Sequence, residues 1–299
     1  MRLSREKTVA VVISTFVVLV VLGVVFYLAK SKDPVEVVTA PTENLKNLEP
    51  KYKVLGTSLE GRKIESYTFG MGEKHLVFIG GIHGGYEWNT VLLAYEVLDY
   101  LKANPDIIPP SLSVTIIPVL NPDGLFSVVG KEGRFTAQDV SKDSTIQASG
   151  RFNANDVDLN RNFGCKWKPK STWREKVVSA GTAPFSEPES LALKNYVIEN
   201  SPDAVVFWHS QANAVYASKC EGEILPGTLD IMNTYAKASG YSAVKTFDSY
   251  ETTGDSEGWL ASIGIPAVTV EFKNHQDTEF QKNISGVKAL FEYYSQLKR

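Results

Sequence analysis

Short apolar, β-branched runs alternate along this chain with amphipathic stretches of helical length, and few architectures satisfy that alternation. The apolar runs are Ile64–Phe69, His75–Ile79, Ser113–Val119, Ala204–Trp208, Ala243–Phe247 and Ala267–Phe272. Thr90–Leu101, Glu187–Ile198, Gly227–Ala238 and Thr278–Leu297 carry the helical pattern, and Ser186 is a candidate N-cap for the second of these. Strands spaced by helices predict an α/β fold, with a mixed, mostly parallel sheet covered by helices on both faces. The stretch from Asn121 to about Pro184 breaks the pattern, being polar and rich in Gly, Asn and Lys. A loop that long in a compact domain is usually functional.

The first fifty residues have a different character. Thr8–Ala29 carries no charge and is rich in Val, Leu, Ile and Phe, a length suited to one bilayer crossing of roughly 20 residues. Arg2, Arg5 and Lys7 precede it, which favours a cytoplasmic N-terminus. The expected organisation is a cytoplasmic stub (1–7), a transmembrane anchor (8–29), a Pro-punctuated linker (30–50) and a folded domain (51–299) outside the cytoplasmic membrane. A cleaved signal peptide is the alternative, although Leu28-Ala29-Lys30 makes a poor cleavage site. A net charge of -3 gives no indication of a nucleic-acid partner. The two cysteines, Cys165 and Cys220, permit one disulfide in an exported domain; two free thiols are the alternative.

Several polar residues stand where apolar runs end. His83 follows the run that ends at Ile79, Glu87 lies four residues on, and His209 directly follows Trp208. Strand C-terminal ends are where open α/β sheets bind ligands. A lone His-x-x-x-Glu pair reads as a surface pair, and a lone strand-end His as a capping hydrogen-bonder. Together the three suit one zinc ion with an open position for water. Glu271, near the end of an apolar strand, is either half of a structural salt bridge or, beside such a water, a general base. Asp158-Leu159-Asn160-Arg161-Asn162-Phe163 is a dense polar cluster, with Arg151 upstream. It reads as a solvated loop or, beside a metal, as a carboxylate-binding one.

These segments resemble, in order along the chain, the motifs of the zinc carboxypeptidases of the carboxypeptidase A/B superfamily (peptidase family M14). Leu55–Arg62 resembles the entry motif, Gly80–Trp88 the first zinc motif, and Pro118–Gly124 the next strand and turn. Asp158–Phe163 resembles the substrate-carboxylate loop, Phe185–Glu189 a helix start, His209-Ser210 the third-ligand motif and Val268–Phe272 the catalytic-glutamate strand. The resemblance implies one zinc ion held by His83, Glu87 and His209, with Glu271 as catalytic base and acid. It implies Asn160 and Arg161 as anchors for the free C-terminal carboxylate of a peptide substrate. Arg151 would stabilise the oxyanion, and Tyr250 would close over the substrate. Glu257 matches the position lining the pocket for the terminal side chain, where an acid favours a basic residue or the diaminopimelate of a cell-wall peptide. The chain departs from the family in placing three residues, not two, between His83 and Glu87. The expected activity is removal of a C-terminal residue from peptides. The alternatives are a related deacylase or amidase acting on small N-acyl amino acids or cell-wall stems, and a non-catalytic peptide-binding domain.

Overall fold

The computed structural model describes residues 20–22 and 49–297. Residues 20–22 are helical; the rest of the expected anchor, 8–29, and all of the linker but its last two residues lie outside the described residues. Among the described residues no helix is long and apolar enough to cross a membrane. The chain divides between Lys46 and Asn47 into two units, and the second carries the fold.

That unit begins with β1 (Lys51–Thr57), β2 (Lys63–Gly70) and β3 (Lys74–Ile79), followed by α1 (Trp88–Ala103), β4 (Leu112–Ile117), α2 (Pro122–Val129) and α3 (Ser144–Ser149). It continues with β5 (Lys170–Trp173), β6 (Lys176–Ser179), α4 (Pro188–Asn200), β7 (Ala204–Ser210) and β8 (Ala214–Ala217). It ends with α5 (Pro226–Ser239), β9 (Ser242–Val244), α6 (Ser256–Ser262), β10 (Ala267–Phe272) and α7 (Phe280–Gln296). Eight strands form one sheet in the order β1-β2-β4-β3-β7-β10-β8-β9, and β5 and β6 form a separate hairpin. The central pairs β4/β3, β3/β7 and β7/β10, with β8/β9, are parallel. The pairs β1/β2, β2/β4 and β8/β10 are antiparallel. The mixed, mostly parallel sheet expected from the alternation is present.

Side chains alternate between the two faces of a strand, and here each face has its own apolar core. Leu76, Phe78, Val206 and Trp208 pack with α1, α5 and α7 on one side. Val77, Ile79, Val205 and Phe207 pack with α4 and α6 on the other. Strands buried on both faces read as continuous apolar runs, which is why β3, β7 and β10 stand out in the sequence.

Some boundaries differ from expectation. The run Ala243–Phe247 is paired only over Ser242–Val244. The N-cap of α4 is Glu187, with no side-chain cap bond, rather than Ser186. The Ser186 hydroxyl instead donates to Glu187 Oε1 at 2.8 Å and accepts from Asn162 Nδ2. The polar stretch after Asn121 is not a single loop. Asn121 accepts from Gly124 N at 2.9 Å as the N-cap of α2, Pro122 fills its first turn, and Gly130 closes it in the left-handed region.

Candidate active site

Parallel pairing sets the spacing of the central residues. In the β7/β10 ladder His209 is the register partner of Glu271, so the two stand side by side on neighbouring strands. Strand parity sends Trp208 into the core with α1, and His209 to the opposite face with α6.

His83 and Glu87 arrive by a tighter route. A 3₁₀ turn, Gly84–Glu87, follows His83, and α1 starts at Trp88. Gly84 has φ +43° and lies against the backbone of Gly124 and Gly150. A Cβ on Gly85 would fall 2.8 Å from Gly124 O and inside van der Waals contact with Val128. Two residues without side chains therefore absorb the additional position in the His83–Glu87 spacing. They wind it into a turn that returns Glu87 to the same point.

One ligand atom from each of His83, Glu87 and His209 lies within 4.8 Å of the others, and all three residues are buried. Glu87 Oε2 is 3.1 Å from His209 Nδ1, yet has no hydrogen-bond partner. His83 Nδ1 is likewise buried without one, although Asp158 Oδ1 stands 3.5 Å away. Ligand atoms from three buried residues that converge on one point are the donor set a cation needs, and two imidazoles with one carboxylate suit zinc. The residues fit the group.

The electrostatics agree. Burial, with Arg151 nearby, holds the His83 pKa well below its ordinary value, keeping the ring neutral. For His209 burial opposes protonation, but Glu87 and Glu257 outweigh it and raise the pKa well above the usual value. A proton there occupies the field that a metal cation would fill. Burial, reinforced by Glu87, pushes the Glu271 carboxyl up to about 7.

Arg151 is held in place by Asp158. Its Nε donates to Asp158 Oδ2 at 2.9 Å, and Nη2 lies 2.8 Å from the same oxygen. Nη1 points towards Glu87 Oε1 at 3.9 Å. The guanidinium lies over the Trp173 ring at 4.6 Å. Asp158 also caps the Leu159–Arg161 turn by accepting from Asn160 N at 3.1 Å.

The next two residues are oriented as donors. Asn160 Oδ1 accepts from the backbone N–H of Ser256 at 2.8 Å, with the Ser256 hydroxyl oxygen 3.0 Å away. That commits the oxygen and turns the amide nitrogen away from α6. Arg161 donates from Nε to Thr172 O and from Nη1 to Asn160 O. Among the described residues Nη2 makes no hydrogen bond.

All nine residues expected at the site line one cavity of about 740 Å³. Tyr250 lies in the loop 245–255, with its ring against Phe247 at 4.9 Å. Glu257 is buried in the first turn of α6, with its carboxylate 3.3 Å from His209 Nε2. The expected bridge between Cys165 and Cys220 is present, with Cα atoms 5.6 Å apart; it joins two segments that both border the cavity. Three contributors escaped the sequence reading. Asp158, at the head of the polar cluster, has no role legible in the sequence, because its place between His83 and Arg151 is a tertiary contact. Tyr86 and Trp173, whose rings meet at 5.1 Å on the cavity wall, lie outside any periodic pattern and carried no signal.

Comparison with known proteins points the same way. Residues 42–291 match the family described as zinc carboxypeptidase. The chain is 24% identical over 256 residues to gamma-D-glutamyl-L-diamino acid endopeptidase 1 of Lysinibacillus sphaericus, covering 76% of this chain and 63% of that protein. It is 33% identical over 132 residues to murein peptide amidase A of Escherichia coli (strain K12), covering 41% of this chain and 51% of that one. The chain thus spans less than two thirds of the length of either curated relative. In fold it resembles the murein-tripeptide amidase of Escherichia coli O157, with TM-score 0.57 and 24% identity over 84% of this chain and 94% of that one. It also resembles the carboxypeptidase A of Helicoverpa armigera, with TM-score 0.61 and 20% identity over 84% of this chain and 68% of that one.

Proposed function

This chain belongs to the zinc carboxypeptidase family, and from that premise we propose that it hydrolyses the C-terminal peptide bond of peptides, with murein stem peptides as the preferred substrates. What carries the reading is the convergence on one cavity of a zinc-type donor set, a carboxylate base and a pair of free carboxylate-binding donors.

Zinc bound to His83, Glu87 and His209 would supply Lewis acidity towards the scissile carbonyl and an acidified water. Glu271 removes the proton from the attacking water and passes it to the leaving amine, a role suited to its raised pKa. Arg151 donates from Nη1 to the developing oxyanion, and Asp158 keeps the guanidinium from rotating away. Asn160 Nδ2 and Arg161 Nη2 hold the terminal carboxylate, which makes the activity exopeptidic. Tyr250 closes over the bound residue. The curated relatives' names, a peptidase at a gamma-D-glutamyl-L-diamino acid bond and a murein peptide amidase, favour a diamino acid at the released end. The acid Asp255 at the cavity wall agrees with that choice. The uncharged stretch 8–29 supports a single-pass anchor, and the disulfide supports an oxidising compartment outside the cytoplasm.

The test is digestion of a library of free-acid peptides, their C-terminal amides and murein stem peptides by zinc-loaded protein, read by mass spectrometry. Release of single C-terminal residues from free acids alone, abolished by a chelator, is expected. Internal fragments, equal turnover of the amides, or indifference to the chelator would overturn the proposal. Cleavage of the stem peptides only at a bond other than the C-terminal one would favour the amidase alternative.

A further inference from the structure

Glu257 occupies the position that the family resemblance assigns to the terminal-residue pocket, but its carboxylate is committed elsewhere. The side chain is buried. Thr269 Oγ1 donates to Oε1 at 2.8 Å, and Ser256 Oγ donates to Oε2 at 2.9 Å. Oε1 also faces His209 Nε2 at 3.3 Å. That ring nitrogen is buried and meets hydrogen-bond geometry with no group, the Glu257 carboxylate being its ion-pair neighbour. The other ring nitrogen, Nδ1, faces Glu87 at 3.1 Å. His209 therefore stands between two carboxylates, one on the side of the metal donor set and one behind it.

We propose that Glu257 is a positioning residue for His209: it accepts the Nε2–H proton, fixes the tautomer that leaves Nδ1 as the metal-binding nitrogen, and stops the ring from turning. An imidazole that ligates a metal through one nitrogen is oriented by what the other nitrogen donates to. Two features show that the acid is built for this. Its own oxygens are steered by Thr269, on the strand next to β7, and by Ser256, the first residue of its own helix. Asp255 anchors that helix start by accepting from Gly258 N at 2.7 Å. An acid that reads a substrate ammonium would instead present its oxygens to the cavity.

The inference rests on the reading of His209 as a metal ligand, and the experiment separates the two. Zinc affinity of the full-length protein is measured by competition with a chromophoric chelator for the parent, E257A, E257Q and T269V. Turnover of peptides ending in Lys and in Leu is measured alongside. E257A is expected to weaken zinc binding by about 10–100-fold, with the Lys-to-Leu preference unchanged. E257Q, whose amide oxygen can still accept from Nε2–H, should stay within a few-fold of the parent. T269V removes only the steering bond, keeps the buried acid, and should weaken zinc binding a few-fold. Parent-like zinc affinity in E257A and T269V with an altered Lys-to-Leu preference would overturn the proposal and make Glu257 a specificity residue. Failure of the parent itself to bind zinc would remove the metal reading, and this proposal with it.

Discussion

The additional residue between His83 and Glu87 makes a sharp demand on Gly85, and Gly85→Ala tests it. The added Cβ would sit 2.8 Å from the carbonyl oxygen of Gly124 and inside van der Waals contact with Val128. Val128 is itself buried, and Gly124 O is backbone in α2. No rotamer change clears such a contact, so the 3₁₀ turn or α2 must move. Overpacking of this kind costs about 3 kcal/mol, the upper part of its usual range. For a domain of this size that corresponds to a loss of roughly 6–12 °C in melting temperature. Because the displaced turn ends at Glu87, zinc affinity should fall as well, by about tenfold or more. The assay is differential scanning calorimetry of the metal-free protein together with chelator competition for zinc. Gly133→Ala is the control. Gly133 has φ +71° with open space around it, so its variant carries left-handed strain of about 1–2 kcal/mol and should bind zinc like the parent. A Gly85→Ala protein with parental melting temperature and parental zinc affinity would refute the packing argument.

Glu271→Gln should lower kcat by about 10²–10⁴-fold, the contribution of a positioned general base, while metal analysis finds the same zinc content; an activity loss matched by zinc loss would assign Glu271 to the metal instead. The raised pKa of Glu271 also has a stability consequence. A carboxyl whose folded pKa exceeds its unfolded value contributes stability that is present below about 4.3 and lost as pH rises through about 7. Denaturant melts of the metal-free parent should therefore weaken across that window, and Glu271→Gln should flatten the trend; parallel curves would contradict it. Replacing both Cys165 and Cys220 by Ser opens a loop of 55 residues' separation, which by chain entropy costs about 4 kcal/mol. Urea titration under non-reducing conditions measures it, and a loss below about 1 kcal/mol would show that the bridge contributes little.

What the sequence disclosed follows from how each element is buried. The strands β3, β7 and β10 have neighbours on both faces, so their composition is uniform and visible. The edge strand β1 has most of its residues exposed, and Lys51-Tyr52-Lys53 carries no apolar run to find. The four-residue strands β5, β6 and β8 are too short for any period to register. The helix α2 had its signals in place, in Asn121, Pro122 and Gly130, but the same residues also spell a turn. At the site, His83, His209 and Glu271 were legible because polar residues at the ends of apolar strands are conspicuous. Glu257 was legible as a site residue, yet its partner was not. The approach of α6 to β7 is a tertiary contact between segments far apart in the chain, and no local pattern encodes it.

The register match of His209 with Glu271 separates two kinds of change this protein can undergo. Neighbouring strands are held about 4.8 Å apart by their backbone ladder, so the offset between these two side chains is a property of main-chain geometry. Asn160, Arg161, Tyr250 and the bridged cysteines sit instead on loops and turns outside that ladder. Insertions, loop exchange or directed evolution can therefore remodel what is recognised without resetting the distance on which the chemistry depends. In an engineering campaign β7 and β10 are the segments to leave untouched, and 166–172 and 245–254 are the segments to diversify.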